Sequence, residues 1–155
     1  MSQQVFKQLE SADIYEAFGE LGELIETKVQ QQGIETLTRK ELEFYCVYWF
    51  ILLMDKGGYG QYYLHHSADH YETLFEALHA INAPGHAKLL NASKAAYVGE
   101  DVPKSFDIRL TELEKNEPEA LALFRRLGTE FYNNEEFLIQ LLMDYAFSHQ
   151  NEFAL

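Results

Sequence analysis

Cysteine is nearly absent: Cys46 is the only one in 155 residues. A single thiol excludes an internal disulfide and a zinc site assembled from several cysteines. It lies among Phe44, Tyr45, Val47 and Tyr48 with no basic neighbour to stabilise a thiolate, so it reads as a buried, inert thiol. Positive charge is scarce as well. Twelve Lys and Arg face twenty-five Asp and Glu, a formal net charge of −13. Such a chain has no general basic surface for nucleic acid or an anionic membrane, and it favours a basic partner. The longest apolar run, the eleven residues from Phe44 to Met54, is too short to span a bilayer and suits a buried core helix. The opening stretch MSQQVFKQLE has neither a basic n-region nor an apolar h-region, so no signal peptide and a cytoplasmic location are expected. Catalytic signatures are missing too. There is no HExxH, GxSxG or GxxxxGK[ST], and Gly57-Gly58-Tyr59-Gly60 lacks the lysine and the strand–helix setting of a phosphate loop. No catalytic residue, metal or other cofactor is expected.

What the chain does have is apolar material. Hydrophobic residues make up 47 %, with ten Tyr and eleven Phe, enough to build a core despite the charge. No segment alternates over a strand's length, and helical periodicity runs almost throughout. A first amphipathic helix is expected from about Ser11 to Gln31, stopped by Gly33. Thr38 and Glu41 form a capping-box signature for a second, apolar nearly all round and therefore central, ended by Gly57 and Gly58. After the aromatic segment Tyr59 to Leu64, Ser67 or Asp69 can cap a helix that turns Tyr71, Leu74, Phe75, Leu78 and Ile81 inward. Asn82 closes it and Pro84 opens the next, which reaches about Tyr97. Past a surface loop, Phe106, Leu110 and Leu113 face inward on a short helix. Leu121, Phe124, Leu127 and Phe131 do so on the next. A last helix is capped by Asn133 or Asn134, with Phe137, Leu141, Leu142 and Tyr145 inward. The expectation is an all-α fold: a single domain over residues 1–155 with about seven or eight helices.

The acids are arranged in rows. Asp13, Glu16, Glu20, Glu23 and Glu26 recur every three or four residues. Ile14, Ala17, Phe18, Leu21, Leu24 and Ile25 recur between them, so acids and apolar side chains take opposite faces. At 1.5 Å per residue the row is about 20 Å long. Asp69, Glu72 and Glu76 share a face at i, i+3, i+7, and Glu112, Glu114, Glu117 and Glu119 gather at one helix junction. Glu130, Glu135 and Glu136 form a smaller group. First-turn acids complement the helix dipole, which accounts for Asp13, Glu41, Glu119, Glu135 and Glu136. It does not account for Glu20, Glu23 and Glu26, which lie too far along. Like charges at these spacings cost about 0.2–0.5 kcal/mol per pair. The rows are candidate partner-binding carboxylates, with a set of solvated faces as the alternative reading.

The segment from Asp55 onward carries a distinctive pattern: a double glycine (Gly57-Gly58), an aromatic residue, Gln61 and two more aromatics. Then come Ala77-Leu78-His79-Ala80-Ile81, a helix opening, and Ala87-Lys88-Leu89-Leu90. It resembles the family of small, acidic, all-helical bacterial DNA-mimic proteins of the nineteen-kilodalton type, over roughly residues 38 to 150. Lys56 stands where that family usually has Asn before the double glycine, and Tyr59 where Phe is common. The resemblance implies a homodimer with a DNA-like negative surface. Such a protein occupies the DNA-binding face of a helix-turn-helix transcriptional repressor and acts as an antirepressor, without binding nucleic acid or membrane itself. Its glycines have a structural explanation in a helix end and a tight turn.

Two other readings compete. An immunity-type protein that neutralises a basic toxin such as a nuclease would use the same electrostatics. A metal-dependent hydrolytic enzyme has only His66 and His70, four apart around Asp69, in its favour. A helix that begins at Ser67 or Asp69 separates those two imidazoles.

Overall fold

A computed structural model describes residues 2–155 and contains nine α-helices, eight of them seven residues or longer, with no strand among the described residues. α1 (Ser2–Leu9) turns Phe6 and Leu9 into the core. This short helix precedes the first one expected from periodicity. Phe6 meets Phe147 and Phe153 edge-on at 5.6 and 5.2 Å. Ser2 Oγ donates to the Phe153 carbonyl and accepts from the Leu155 N–H, which ties the two ends of the chain together.

α2 (Ile14–Gln32) starts three residues later than expected. Asp13 caps it, its carboxylate accepting the Tyr15 N–H at 2.9 Å, and Gly33 at φ 97° ends it. α3 (Arg39–Gly57) opens with the full capping box of Thr38 and Glu41. Ten of its residues are buried, on every side of the helix, because α2, α4 (Tyr59–Tyr63), α5 (Tyr71–Ala80) and α9 (Leu138–Ser148) all pack on it. Gly58 ends it at φ 87°, a value any side chain would strain, and donates its N–H to Leu53 and Met54. α4 places Tyr59, Tyr62 and Tyr63 in the core.

A 3₁₀ turn over His66–His70 leads into α5, so the helix begins at Tyr71 and neither Ser67 nor Asp69 caps it. Asn82 at φ 69° and Pro84 separate α5 from α6 (Pro84–Ser93), as the sequence implies. Beyond a left-handed turn at Gly99, α7 (Phe106–Lys115) and α8 (Glu117–Asn133) follow. α9 begins at Leu138, four residues past Asn134. Asn134 instead accepts the Glu136 N–H in a local turn. That turn aims the Glu136 carboxylate at the Gly85 and His86 N–H groups of α6, which has no side-chain cap of its own. Leu24, Phe106, Leu121 and Phe137, all expected to face inward, are exposed. Phe106 is the first residue of α7 and Phe137 the N-cap of α9, so both stand at helix ends rather than within a packed stripe.

Candidate partner interface

α2 and α3 run antiparallel, and one contact sets how closely. A methyl group at Gly22 would sit 2.0 Å from Tyr48 Cε2, so the Tyr48 ring lies directly on the α2 backbone. This seam buries Phe18, Leu21 and Ile25 and turns the opposite face of α2 outward. Glu16, Glu20 and Glu23 are exposed on that face. None of the three has a Lys, Arg or His partner within 4.0 Å among the described residues. They form an uncompensated line of charge on a rigid helix about 10 Å long from first to last.

The two ends of the expected row behave differently. Asp13 is the α2 cap. Glu26 is half-buried, accepts the Trp49 indole N–H at 3.0 Å and takes a second hydrogen bond from Gln30. Trp49 in turn stacks on His65 with ring centroids 4.4 Å apart, and His65 on His66 at 4.1 Å. Burial pushes the His65 imidazole down to about 4, with His66 adding in the same direction. Its Nδ1 accepts the Ser67 N–H, and His66 Nε2 is bonded to the Tyr45 hydroxyl at 2.7 Å. His66 and His70 thus flank a 3₁₀ turn rather than share one helix face. Among the described residues no group of three or more His, Cys, Asp or Glu is placed to hold a metal.

Arg109 was not singled out by the sequence reading and is the organising cation of this region. It is fully buried. Nε donates to the Tyr63 carbonyl, Nη1 to Pro103 and Nη2 to His65, at 2.7 to 3.0 Å. Nη1 also lies 2.8 Å from the Asp69 carboxylate. The signal was present: Arg109 and Leu113 stand four apart on one face of α7. A chain of contacts therefore runs from Glu26 through Trp49 and His65 to Arg109 and Asp69, linking the C-terminal part of the α2 row to α7.

The other acids are distributed as follows. Asp69 neutralises Arg109. Glu76 on α5 pairs with Arg39 at 2.5 Å. Glu72 is exposed and unpaired among the described residues. Glu114, Glu117 and Glu119 are exposed at the α7–α8 junction, with Glu112 half-buried beside them, and none has a basic partner within 4.0 Å there. α2 packs on α3 and α9, whereas α7 and α8 pack on each other and on α4. The two unpaired groups are thus carried by different parts of the bundle.

Two acids outside the expected set are buried. Glu41 accepts Lys28 Nζ at 2.8 Å, the Thr38 N–H at 2.9 Å and the Ala154 N–H at 2.7 Å. Glu43 accepts the Tyr145 hydroxyl and pairs with Arg39 and Lys40. Cys46 is buried as expected, and desolvation pushes its thiol up to about 12. No helix among the described residues is long and apolar enough to cross a membrane.

A family model described as DMP19-like protein matches residues 35–149, from the turn before α3 through the end of α9. No curated protein and no solved structure matches the chain. α2 and its acids lie outside the matched span.

Proposed function

The chain belongs to the DMP19-like protein family, and from that premise we propose that it is a DNA mimic that blocks a basic DNA-binding protein by occupancy rather than by catalysis. The observation that carries this reading is the row Glu16, Glu20 and Glu23: exposed, without basic partners among the described residues, and held on a helix locked to the core by the Gly22–Tyr48 contact. Carboxylates there stand in for phosphates and accept charge-assisted hydrogen bonds from Arg and Lys. Their mean spacing of about 5 Å along the axis is of the same order as the roughly 3.4 Å per phosphate on one DNA strand. Glu72, Glu114, Glu117 and Glu119 extend the negative surface. Asp13, Glu26, Asp69 and Glu76 contribute field while also serving the fold.

The partner we propose is a helix-turn-helix repressor, which the protein would release from its operator as an antirepressor in the cytoplasm. Residues 1–155 form the acting unit, and a two-fold homodimer matches the symmetry of such a repressor. The decisive experiment is a gel-shift competition using the DNA-binding protein that co-purifies with this chain. Increasing amounts should displace the DNA, and the apparent affinity should fall steeply with salt. Simultaneous binding of partner and DNA without loss of affinity ends the mimicry reading. A co-purifying partner that is a nuclease, inhibited on binding, replaces it with the immunity-type alternative.

A further inference from the structure

A cleft of about 540 Å³ opens between α2, the C-terminal half of α3 and the connection from α8 to α9, and the acid rows make no use of it. The volume lies within the roughly 300–1,000 Å³ of small-molecule sites. Phe18, Ile51 and Phe131 supply an apolar wall. Tyr15, Tyr132 and Phe137 also line it, although they are 60 %, 64 % and 48 % exposed. The Tyr15 and Phe137 rings stand only 6.3 Å apart. Large aromatic side chains left in water and gathered at one concavity mark a binding site rather than a solvated surface.

The polar groups in the wall define what could bind. The Glu136 carboxylate is committed to the Gly85 and His86 N–H groups and to Asn134 Nδ2. The Tyr132 hydroxyl donates to the Met54 carbonyl. His86 is 2 % exposed, and its Nε2 lies 3.0 Å from the Glu136 backbone carbonyl. A carbonyl only accepts, so the proton sits on Nε2. Burial lowers the imidazole pKa and keeps the ring neutral, against the raising effect of Glu136. Nδ1 is therefore a bare acceptor, buried and without a protein partner among the described residues. Asp55 adds an exposed carboxylate with no basic partner within 4.0 Å there. Asp55 is thus the exposed charged group of the lining, and the cleft contains no Lys or Arg.

We propose that this cleft binds a small arylalkylamine. Its ring packs on the apolar wall and its ammonium group faces Asp55. The chain's charge of −13 concentrates cations and repels anionic ligands of the same shape.

Three probes and two variants test this on the full chain. Tryptamine carries the ring, the ammonium and an indole N–H. Indole-3-propionate keeps the ring with the opposite charge, and ethylamine keeps only the ammonium. Calorimetry should show saturable one-to-one binding of tryptamine with a dissociation constant on the order of 1 mM or tighter. The other two probes should neither bind saturably nor compete. The aromatic proton resonances of Tyr15 and Phe18 should shift on tryptamine binding. Asp55→Asn leaves an exposed helix end intact, and Ile51→Trp fills the cleft. Each should weaken tryptamine by about tenfold or more. The proposal is overturned by absence of saturable binding, by equal binding of the propionate, or by unchanged affinity in either variant. It is equally overturned if sedimentation shows a dimer that Phe137→Ser abolishes and that tryptamine does not perturb, which assigns the cleft to a second copy.

Discussion

α2 and α3 are each nineteen residues long, lie side by side and carry several glutamates, yet they use them in opposite ways. On α2, Glu16, Glu20 and Glu23 point into solvent without basic partners among the described residues. On α3, Glu41 and Glu43 are buried and surrounded by donors: Lys28, Thr38 and Ala154 for one, Tyr145, Arg39 and Lys40 for the other. The α3 acids hold elements together, since Glu41 alone joins α2, the start of α3 and the C-terminal tail. Glu16, Glu20 and Glu23 hold nothing and cost a little repulsion. The family match begins between these two helices. The matched span thus contains the helix whose acids are committed to the fold, and the free carboxylates on α2 lie outside it.

The sharpest way to break the comparison is to remove an acid from α3. Glu41→Ala leaves the half-buried Lys28 without its counter-ion, with only the Ala154 carbonyl as acceptor, and the Ala154 N–H with none, and should destabilise the protein by about 3–5 kcal/mol in chemical denaturation. A loss below about 1 kcal/mol would place Glu41 in the same class as the α2 acids.

The seam between the helices comes next. Gly22→Ala places a methyl group in the Tyr48 ring and should cost about 1–3 kcal/mol through overpacking. The gain of about 1 kcal/mol in helix propensity only partly offsets this. A more stable variant would mean that the two helices can move apart freely.

The pH dependence tests the same seam at Trp49 and His65. His65 has its pKa lowered from the ordinary 6.5 to about 4 on folding, chiefly by burial. The unfolded chain therefore binds the proton first. The His65 contribution to stability should be complete above pH 6.5, decline as the pH falls toward 4 and level off below. Because the ring is only partly buried, the decline should be shallow, and His65→Gln should flatten that part of the profile. An identical profile in the variant would remove His65 from the account.

The smallest effect on stability should come from α2. The triple change Glu16→Gln, Glu20→Gln and Glu23→Gln should leave the melting temperature unchanged or slightly raised, since each relieved pair is worth about 0.2–0.5 kcal/mol. On partner binding the order inverts. The triple variant should bind more weakly, with a shallower salt dependence. Slower association with an unchanged off-rate would mean that the acids steer from the rim; a faster off-rate would mean that they are desolvated in the complex. Unchanged affinity and salt dependence would leave the α2 row a solvated face and move the mimicry hypothesis to Glu72 and the α7–α8 junction.

Much of the fold was legible because its signals are local. The Thr38–Glu41 box, the Gly33 and Gly58 stops, and the Asn82–Pro84 break each depend on a few consecutive residues, and each stands where the periodicity implied. The misreadings share a different cause. α1 escaped notice because eight residues show barely two turns of pattern. Asn134 looked like a helix cap, yet it shapes a turn that sends Glu136 to cap α6, fifty residues away in sequence. Arg109 lay on the inward stripe of α7 and was passed over because it is charged. Its burial is possible only because three carbonyls and Asp69 converge on it from other segments.

By itself the sequence determined an all-helical chain, the places where most helices stop, an apolar central helix and a large excess of negative charge. These follow from periodicity, capping chemistry and composition, none of which needs a distant partner. Only the tertiary structure decided which carboxylates are available to bind anything. Glu20 and Glu23 on α2 sit three residues apart, and so do Glu43 and Lys40 on α3, with nothing in the spacing to tell outward from inward. The difference is made by groups that arrive from far along the chain. Tyr145 and Ala154 bring donors to α3 from more than a hundred residues away, while no donor among the described residues reaches the outer face of α2. A carboxylate remains a free charge only where no such neighbour arrives, and folding alone settles where that is.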